Sequence, residues 1–203
     1  MKVKLKNIAS VQMGHSFRSR LEPEPNGNVS VIQMKDLTDN NELDNQALVH
    51  IDMDNLKDHH RVKQNDLAFR SRGLTNTAAI IKTEIDTAVI AAPLLRIRVN
   101  NDDLLPEYLC WHINQPLSQS ELQSKAKGTN IKMIGKPALE ELVIILPNIE
   151  TQKQIVALDK LSANEHRLMQ ALSEKKKKLM EGTLMQLATG KQLIRRNKYE
   201  KNQ

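Results

Sequence analysis

The segment NIETQKQIVALDKLSANEHRLMQALSEKKKKLMEGTLMQL, residues 148–187, sets the architecture of the second part of the chain. Its apolar residues recur at steps of 3, 3, 7, 4, 7 and 8 positions, at Ile155, Leu158, Leu161, Leu168, Leu172, Leu179 and Leu187. These steps keep one apolar stripe on one face of a helix. Asn148 can cap the first turn, because its side chain can accept a hydrogen bond from a free backbone N–H group. The segment therefore predicts a helix of roughly 40 residues, near 60 Å long at ~1.5 Å per residue.

The stripe is too long to be covered by a domain built from the rest of the chain. It is interrupted by Glu165 and Lys175 and otherwise remains apolar. Such a stripe is typical of a helix that pairs with another helix. We expect the contact residues to be Ile155, Leu158, Leu161, Leu168, Leu172 and Leu179.

The first 147 residues alternate short apolar runs with turn clusters, which is typical of a mixed α/β domain. The runs that predict strands are residues 29–34, 66–70, 78–81, 87–91, 94–99 and 142–146. Pro106 opens a helical pattern over residues 106–114, and Pro116 begins a second short helix that ends at Gly128. The predicted class is α+β, with a domain over residues 1–147, a long helix over 148–190 and a flexible basic tail over 191–203.

Length and composition favour one soluble globular domain with an appendage. The chain has 203 residues, of which 39% are hydrophobic and 2% aromatic. Cys110 is the only cysteine, so no disulfide can form within one chain and a reducing, cytoplasmic location is expected. Neither a signal peptide nor a membrane span is predicted.

Charge is distributed unevenly along the chain. The net charge is +6, but residues 152–203 carry 12 basic and 5 acidic side chains, so the first part is nearly neutral. Any contact with DNA in that part must be local, and residues 61–72 and 125–136 are its two basic stretches. Residues 36–58 are strongly acidic and should face away from phosphate. The four lysines at 175–178 are most simply a solvated helix face.

Recognisable catalytic motifs are missing. The sequence contains no GxxxxGK[ST], HExxH or GxSxG motif and no Asn-Pro-Pro-aromatic stretch. His59 and His60 with His50 make a poor metal set and are better explained as a polar loop, while Glu84 and Asp86 are best explained as a solvated turn. Cys110 is best explained as a core residue. We therefore expect no enzymatic activity, no metal and no cofactor; the catalytic alternative is a small nuclease.

Two loops carry the side chains that DNA recognition uses. RSRGLTNTA at residues 70–78 offers guanidinium groups for guanine, an amide for adenine and hydroxyls for phosphate, and SKAKGTNIK at 124–132 is a second basic loop. The alternative is that both are polar, salt-bridged loops. The predicted DNA-binding residues are Arg70, Ser71, Arg72, Thr75, Asn76, Thr77, Lys125, Lys127, Thr129, Asn130 and Lys132.

Several segments together resemble the specificity subunits of type I restriction-modification enzymes. KLKNIASVQMGHSF is similar to the opening of that family, VIQMKDLTD to its Ile-x-x-x-Asp-Leu strand, and NDLAFRSRG to its Gly-Asp-Ile/Leu-Leu-x-x-x-x-Gly element, with Asn65 where glycine is commoner. LLPEYLCWHIN resembles the Pro-x-Tyr-Leu helix. The most specific stretch is GTNIKMIGKPALEELVIILPNIETQKQIV, which resembles the entry into the long helix of the family.

The resemblance implies a role in recognising DNA. Family members have two recognition domains, each reading half of a split double-stranded DNA target, and two long helices that separate the domains and dock DNA methyltransferase subunits. This sequence has one copy of each part, and its arginine-bearing opening loop adds Arg18 and Arg20 to the DNA-binding residues. The resemblance thus implies a half-subunit that positions a methyltransferase, with a restriction-translocase subunit as a further partner. The apolar stripe and the paired helices of the family together lead to the hypothesis of an antiparallel homodimer through residues 149–190; pairing with another half-subunit and a truncated remnant are the alternatives. The alternative is an interaction module or decoy that binds the methyltransferase and no longer reads DNA.

Overall fold

A computed structural model describes residues 1–38, 40–46, 48–54, 56–73, 76–128 and 132–190. The chain divides into two compact units, residues 1–156 and the residues that follow. The strands in the described ranges are β1 Lys2–Lys4, β2 Ala9–Met13, β3 Val29–Ile32, β4 Val49–Ile51, β5 Leu67–Arg70, β6 Ala78–Ile80, β7 Ala88–Ile90, β8 Leu94–Val99 and β9 Val143–Ile145. The α-helices are α1 Pro106–Asn114, α2 Pro116–Ser124, α3 Lys136–Glu140 and α4 Ile149–Ala188.

The strands of the first unit form three sheets. The largest has the order β2-β8-β5-β6 with antiparallel neighbours. A second sheet has the order β4-β3-β7, in which β3 and β7 are parallel. The third pairs β1 with β9, so that Val3 lies opposite Ile144 and the two ends of this unit are joined.

Alternating side chains of the four-stranded sheet enter two different hydrophobic clusters. Leu67 and Phe69 of β5 pack with α1, whereas Ala68 between them packs with Ile32 and Ile90 of the β4-β3-β7 sheet. This follows from the two-residue repeat of a strand, which points successive side chains to opposite faces. Both faces of β5 are therefore buried, and its ends are the parts that can reach solvent.

The predicted elements agree with the structure in their order and differ mainly at their ends. Strand β8 and helix α1 cover the predicted residues, while the other predicted strands are shorter by one or two residues. Helix α2 ends at Ser124, earlier than predicted. The short elements β1, β2, β4 and α3 were not predicted. Tail residues 191–203 lie outside the described residues.

A buried ionic network ties β5 to β8. The Asp66 carboxylate, 1% exposed, accepts hydrogen bonds from Arg98 Nε at 2.6 Å and Arg98 Nη2 at 2.7 Å. The backbone N–H of Lys63 donates a third hydrogen bond at 2.8 Å, and Arg96 Nε lies 3.9 Å away. Arg96, also buried, donates to the carbonyl oxygens of His59 and Arg61. The charged residues of β8 therefore hold the domain together and are not free to contact a ligand.

His112 joins α1, α2 and β9 in its neutral form. Its Nε2 accepts a hydrogen bond from the backbone N–H of Ile145 at 3.1 Å, so the ring proton resides on Nδ1, 3.0 Å from the Ser118 hydroxyl. Burial lowers the pKa of His112, and the charge of Glu121 opposes this shift to a lesser extent. A proton on Nε2 would remove the acceptor that Ile145 uses.

We expect this histidine to make the fold sensitive to mild acid. Because its pKa is lower in the folded chain than the ordinary value of 6.5, the unfolded chain binds the proton more readily. The contribution of neutral His112 to stability is thus complete above about pH 6.5 and is lost as the pH falls below that value. Unfolding midpoints in urea from pH 5 to 8 should fall on the acid side. Replacing His112→Gln should flatten that dependence, whereas His166→Gln on an exposed helix face should not change it.

Helix α4 begins as predicted. The Asn148 side chain accepts a hydrogen bond from the Thr151 N–H at 2.8 Å, which confirms the cap. Gln152 is fully buried and binds the carbonyl oxygens of Asp103 and Pro147. Ile155 and Val156 pack against the core of the first unit. Ile155 is therefore partly buried against the domain core, and its role as a partner-helix contact stays a prediction.

Candidate nucleic-acid interface

One end of the four-stranded sheet gathers three connecting segments. At this end Met13 of β2 lies opposite Leu95, Arg70 of β5 lies opposite Leu94, and β6 begins at Ala78. The segments that leave or enter here are residues 14–28, 71–77 and 91–93. Two of them contain residues that the sequence predicts as DNA contacts. The topology thus brings the opening loop, residues 14–28, and the Arg70–Ala78 loop to the same end of the four-stranded sheet.

The second predicted loop joins the first by backbone hydrogen bonds. Met133 forms bridges with both Arg72 and Lys127. The Ile134 N–H donates to the Ser71 carbonyl oxygen at 2.7 Å, which holds the two segments side by side. The described parts of residues 71–73 and 127–134 therefore form one continuous surface from two loops that are distant in sequence.

The exposed cations of this surface have no acidic partners among the described residues. Arg72, Lys127 and Lys132 are exposed, and none of them forms an ion pair with any carboxylate of the described ranges. Arg18 and Arg20 on the opening loop are also exposed, and neither forms an ion pair with a carboxylate of the described ranges. By contrast, Lys63 at the start of the first basic stretch lies at the opposite end of β5. Unpaired cations are available to phosphate groups.

Several predicted contact residues are instead buried and support the loops. Arg70 is 8% exposed, and its guanidinium group donates to Thr38 O at 3.1 Å, to Leu37 O and to Thr77 Oγ1. Ser71 is fully buried and donates to Pro93 O. The expectation that Arg70 and Ser71 contact DNA is corrected, because their polar atoms are directed into the protein.

Asn76 is a further buried member of the 70–78 loop. It is 0% exposed; its Nδ2 donates to Arg70 O at 2.9 Å and its Oδ1 accepts from Gln123 Nε2 at 2.9 Å. Gln119 donates to its backbone oxygen at 2.9 Å. Asn76 thus anchors the loop to α2 and does not reach DNA with its amide.

Lys125 differs from the other lysines of the second loop. Its Nζ lies 2.6 Å from Glu121 Oε1 and 3.3 Å from Glu141 O, and the side chain is half-buried. It is therefore engaged within the domain, unlike exposed Lys127 and Lys132. Thr75, Thr129 and Asn130 are predicted contacts that lie outside the described residues.

A groove next to this surface adds a residue that the sequence did not single out. It measures about 450 Å³ and is lined by residues of the opening loop, of the 33–35 segment and of the 91–93 segment. Gly14 lets the opening loop approach closely, since a Cβ there would lie 2.7 Å from the backbone of Ala91. Lys35 is exposed beside the groove, and Met34 Cε would lie 3.9 Å from a Cβ at Gly73. Lys35 therefore extends the cationic surface, although it precedes a strongly acidic stretch.

The other kinds of site considered from the sequence, a histidine metal site and a reactive cysteine, gain no support from the geometry. Within the described ranges, no group of three or more His, Cys, Asp or Glu side chains could hold a metal ion. His59 and His60 contact each other through their rings, and His60 also contacts the ring of His15. Cys110 is buried, and its Sγ lies 3.4 Å from Ala78 O. In the same ranges, no helix is long and apolar enough to cross a membrane.

These features define a class: an α+β recognition domain with a polar, cationic loop surface at one sheet end, followed in sequence by a long helix. Residues 1–178 match the family model described as the type I restriction modification DNA specificity domain. The match covers most of the chain, so the chain belongs to that family. It is accordingly a DNA-recognition domain and not a catalytic one, and the resemblance drawn from the sequence is confirmed.

Solved structures of type I restriction-modification proteins have the same fold. A chain from a structure on complex assembly and conformational transition of the type I R-M system is 21% identical, with a TM-score of 0.66 over 89% of this chain and 43% of that chain. The HsdS subunit from Thermoanaerobacter tengcongensis is 20% identical, with a TM-score of 0.62 over 95% of this chain and 45% of its own. The S subunit from M. genitalium is 16% identical, with a TM-score of 0.55 over 92% and 45%.

This chain thus spans less than half the length of the solved subunits that it matches. These likenesses confirm the α+β class with a long C-terminal helix. Comparison with curated proteins finds no significant match.

Proposed function

We propose that this chain reads one half of a split double-stranded DNA target and positions a DNA methyltransferase subunit on it. The observation that carries the proposal is the surface formed by Arg72, Lys127 and Lys132, which lacks ion-pair partners within the described ranges. Arg18, Arg20 and Lys35 extend this cationic surface. Phosphate contacts from such side chains fix the position of a protein on DNA, and groups in the same loops read base edges.

The partners of this function follow from the family and from the helix. A specificity domain needs a methyltransferase to act on the DNA that it recognises, and a restriction-translocase subunit is a further partner in enzymes of this type. The stretch of α4 after residue 156 offers a docking surface, because Leu158, Leu168 and Leu179 are 66%, 56% and 72% exposed. Exposed leucines in a continuous stripe are unusual for a helix that has no partner. We propose that the stripe pairs with a second copy, giving two recognition domains.

Removing the three central cations tests the binding of DNA by this surface. We expect the variant Arg72→Ala, Lys127→Ala and Lys132→Ala to bind specific and random duplexes more weakly. Its salt dependence should be less steep by about 0.9 for each phosphate that the protein no longer neutralises, or about 2.7 in the slope of log K against log salt. Fluorescence anisotropy with labelled duplexes from 50 to 300 mM salt measures both quantities.

A matched control removes the same charge elsewhere. Lys57, Lys63 and Lys82 are exposed. Lys63 precedes β5 and Lys82 follows β6, so both lie at the end of the sheet that is opposite to the cationic surface. Their replacement by alanine should leave the salt slope nearly unchanged. Equal effects of the two triple variants would mean that net charge alone drives binding. Unchanged binding in the first variant would remove DNA recognition from this surface and favour the decoy alternative.

A further inference from the structure

A small cavity beside β2 contains a buried donor that has no acceptor among the described residues. The cavity measures about 10 Å³ and is lined by Gln12, Met13, Gly14, His59, His60, Ile90 and Arg96. The Arg96 side chain is 8% exposed, and its Nη2 donates to Gln12 Oε1 at 2.8 Å. Its Nη1 donates to the carbonyl oxygens of His59 and Arg61. Its Nε has no hydrogen-bond partner in the described ranges, and Asp66 Oδ2 is 3.9 Å away. Because buried donors nearly always have an acceptor, Nε indicates one that these residues do not supply.

Three histidines, His15, His59 and His60, form a cluster next to this donor. His59 and His60 line the cavity with ring centroids 4.2 Å apart, and the ring of His15 lies 5.1 Å from that of His60. Burial lowers the pKa of His60. Four neighbouring charges lower this pKa further, those of His59, His15, Arg96 and Lys57. Because all four charges are positive, the cluster favours a negatively charged ligand.

The carboxylates of the same segments are already engaged. Asp58 pairs with Arg61 at 3.2 Å, and its side chain is 99% exposed. Asp66 accepts two hydrogen bonds from Arg98, at 2.6 and 2.7 Å. Within the described ranges, no group of three or more His, Cys, Asp or Glu side chains could hold a metal ion. An anion from outside the chain is therefore the ligand that fits this site.

We propose that Arg96 and the histidine cluster bind a phosphate group. The cavity has room for about one oxygen atom, which accepts a hydrogen bond from Arg96 Nε. The other oxygens stay at the surface, where His59 is exposed and its ring N–H can donate. Charge-assisted hydrogen bonds of this kind are stronger than neutral ones. The inference goes beyond the proposed function, because it uses none of the residues Arg72, Lys127 and Lys132.

Either the DNA backbone or a free phosphate ion can supply this group. Met13 and Gly14 line the cavity and lead directly into the opening loop, which carries Arg18 and Arg20. A DNA strand held by that loop would bring its phosphates towards the cavity. The two sources share their chemistry, and separate experiments distinguish them.

Phosphate binding at this site takes up protons. A negative charge raises the pKa of a neighbouring histidine, so the cluster binds protons more readily when phosphate is present. Binding therefore strengthens as the pH falls, by up to about tenfold per pH unit for each proton taken up. The effect of His112 has the opposite sign, because acid weakens the fold.

Inorganic phosphate tests the free ion. We expect its titration into the full chain at pH 6.5 to move the ring-proton resonances of His15, His59 and His60 in a saturable way, as measured by NMR. His50 and His166 lie outside the cavity and serve as internal controls, whose resonances should not follow the same curve.

A built-in carboxylate tests the role of Arg96. Gln12→Glu keeps the size of the side chain and places a negative charge beside Arg96 Nη2, where it competes with phosphate. We expect this variant to bind phosphate at least tenfold more weakly. Gln46→Glu makes the same change at an exposed position outside the cavity and should bind like the wild type.

The pH dependence of duplex binding tests the DNA backbone. We expect the affinity of the wild-type chain for a random duplex to decrease threefold or more from pH 6 to pH 8, in anisotropy measurements at constant salt. Replacing the three histidines of the cluster by glutamine should remove this dependence. The control His50→Gln with His166→Gln should retain it.

The outcomes identify the source or overturn the site. A pH dependence that only the cluster variant loses supports the DNA backbone, and a phosphate response without it supports the free ion. The absence of both, or a Gln12→Glu variant that binds phosphate like the wild type, would overturn the inference. The variant of Arg72, Lys127 and Lys132, measured at pH 8 where histidines are neutral, tests the proposed function separately.

Discussion

Replacing Asp66→Asn is expected to lower the free energy of unfolding by about 3–5 kcal/mol, because it removes one charge from a buried ionic network. Asp66 is 1% exposed and bonds Arg98 through both carboxylate oxygens, with Arg96 at 3.9 Å. An asparagine keeps the size of the side chain but leaves both guanidinium groups without a counter-ion. It also directs amide hydrogens at groups that are themselves donors. Urea denaturation followed by circular dichroism measures the decrease in stability.

The control for this variant is Asp58→Asn, which makes the same chemical change at the surface. Asp58 pairs with Arg61 at 3.2 Å, but its side chain is 99% exposed. Exposed ion pairs contribute about 1 kcal/mol or less, so this variant should unfold at nearly the wild-type urea concentration. If Asp66→Asn also unfolded at nearly the wild-type urea concentration, the ionic network would be dispensable for the fold. Water would then have to hydrate the arginines, or the arginines would have to rearrange.

The same network shows where sequence patterns stop being informative. The alternation of apolar residues with Arg96 and Arg98 predicts strand β8, and the structure confirms it. Alternation alone suggests that these arginines face solvent. Their counter-ion, Asp66, lies about 30 positions earlier, at the start of β5, and reaches them only because β5 pairs with β8. Long-range strand pairing therefore decides the role of a charged residue, whereas the local pattern decides only its secondary structure.

Element length explains the other differences. Helix α4 was predicted almost to its ends because its signal repeats over 40 residues. Strand β1 has three residues, and its stability derives from pairing with β9 at the far end of the first unit. Three residues carry too little periodicity to be recognised, and nothing near β1 in the sequence marks its partner.

The candidate DNA surface was predicted in part for the same reason. Both basic loops were located from their composition, and the backbone bridges at Met133 join them in the structure. Arg70 and Arg72 looked equivalent in the sequence, yet only Arg72 is exposed. Arg70 is held by carbonyl oxygens at Leu37 and Thr38, which come from a distant segment. Composition thus indicates which loops are candidates for contact with DNA, and the acceptors that the fold supplies determine which of their side chains are exposed.

The largest functional effect is expected from disrupting the exposed apolar stripe of α4. Leu168→Lys with Leu172→Lys places four lysines in the helix contact of the proposed dimer, so we expect monomers at micromolar concentration by light scattering. A duplex with two half-sites binds a dimer through two linked binding events, which raises affinity by about 10²- to 10⁴-fold over a single one. The variant should lose that factor on the two-half-site duplex. Its affinity for a single half-site should not change.

This pair of measurements distinguishes a defect in pairing from a defect in recognition. Leu168 and Leu172 are 56% and 48% exposed and lie beyond the first unit, so the substitutions leave the domain core intact. An equal decrease in affinity on both duplexes would mean that the helix itself binds DNA. No decrease on the two-half-site duplex, with monomers in solution, would mean that the stripe belongs to the methyltransferase. Reduced affinity confined to the two-half-site duplex follows only if two recognition domains act together, because identical domains related by a two-fold axis read identical half-sites on opposite strands.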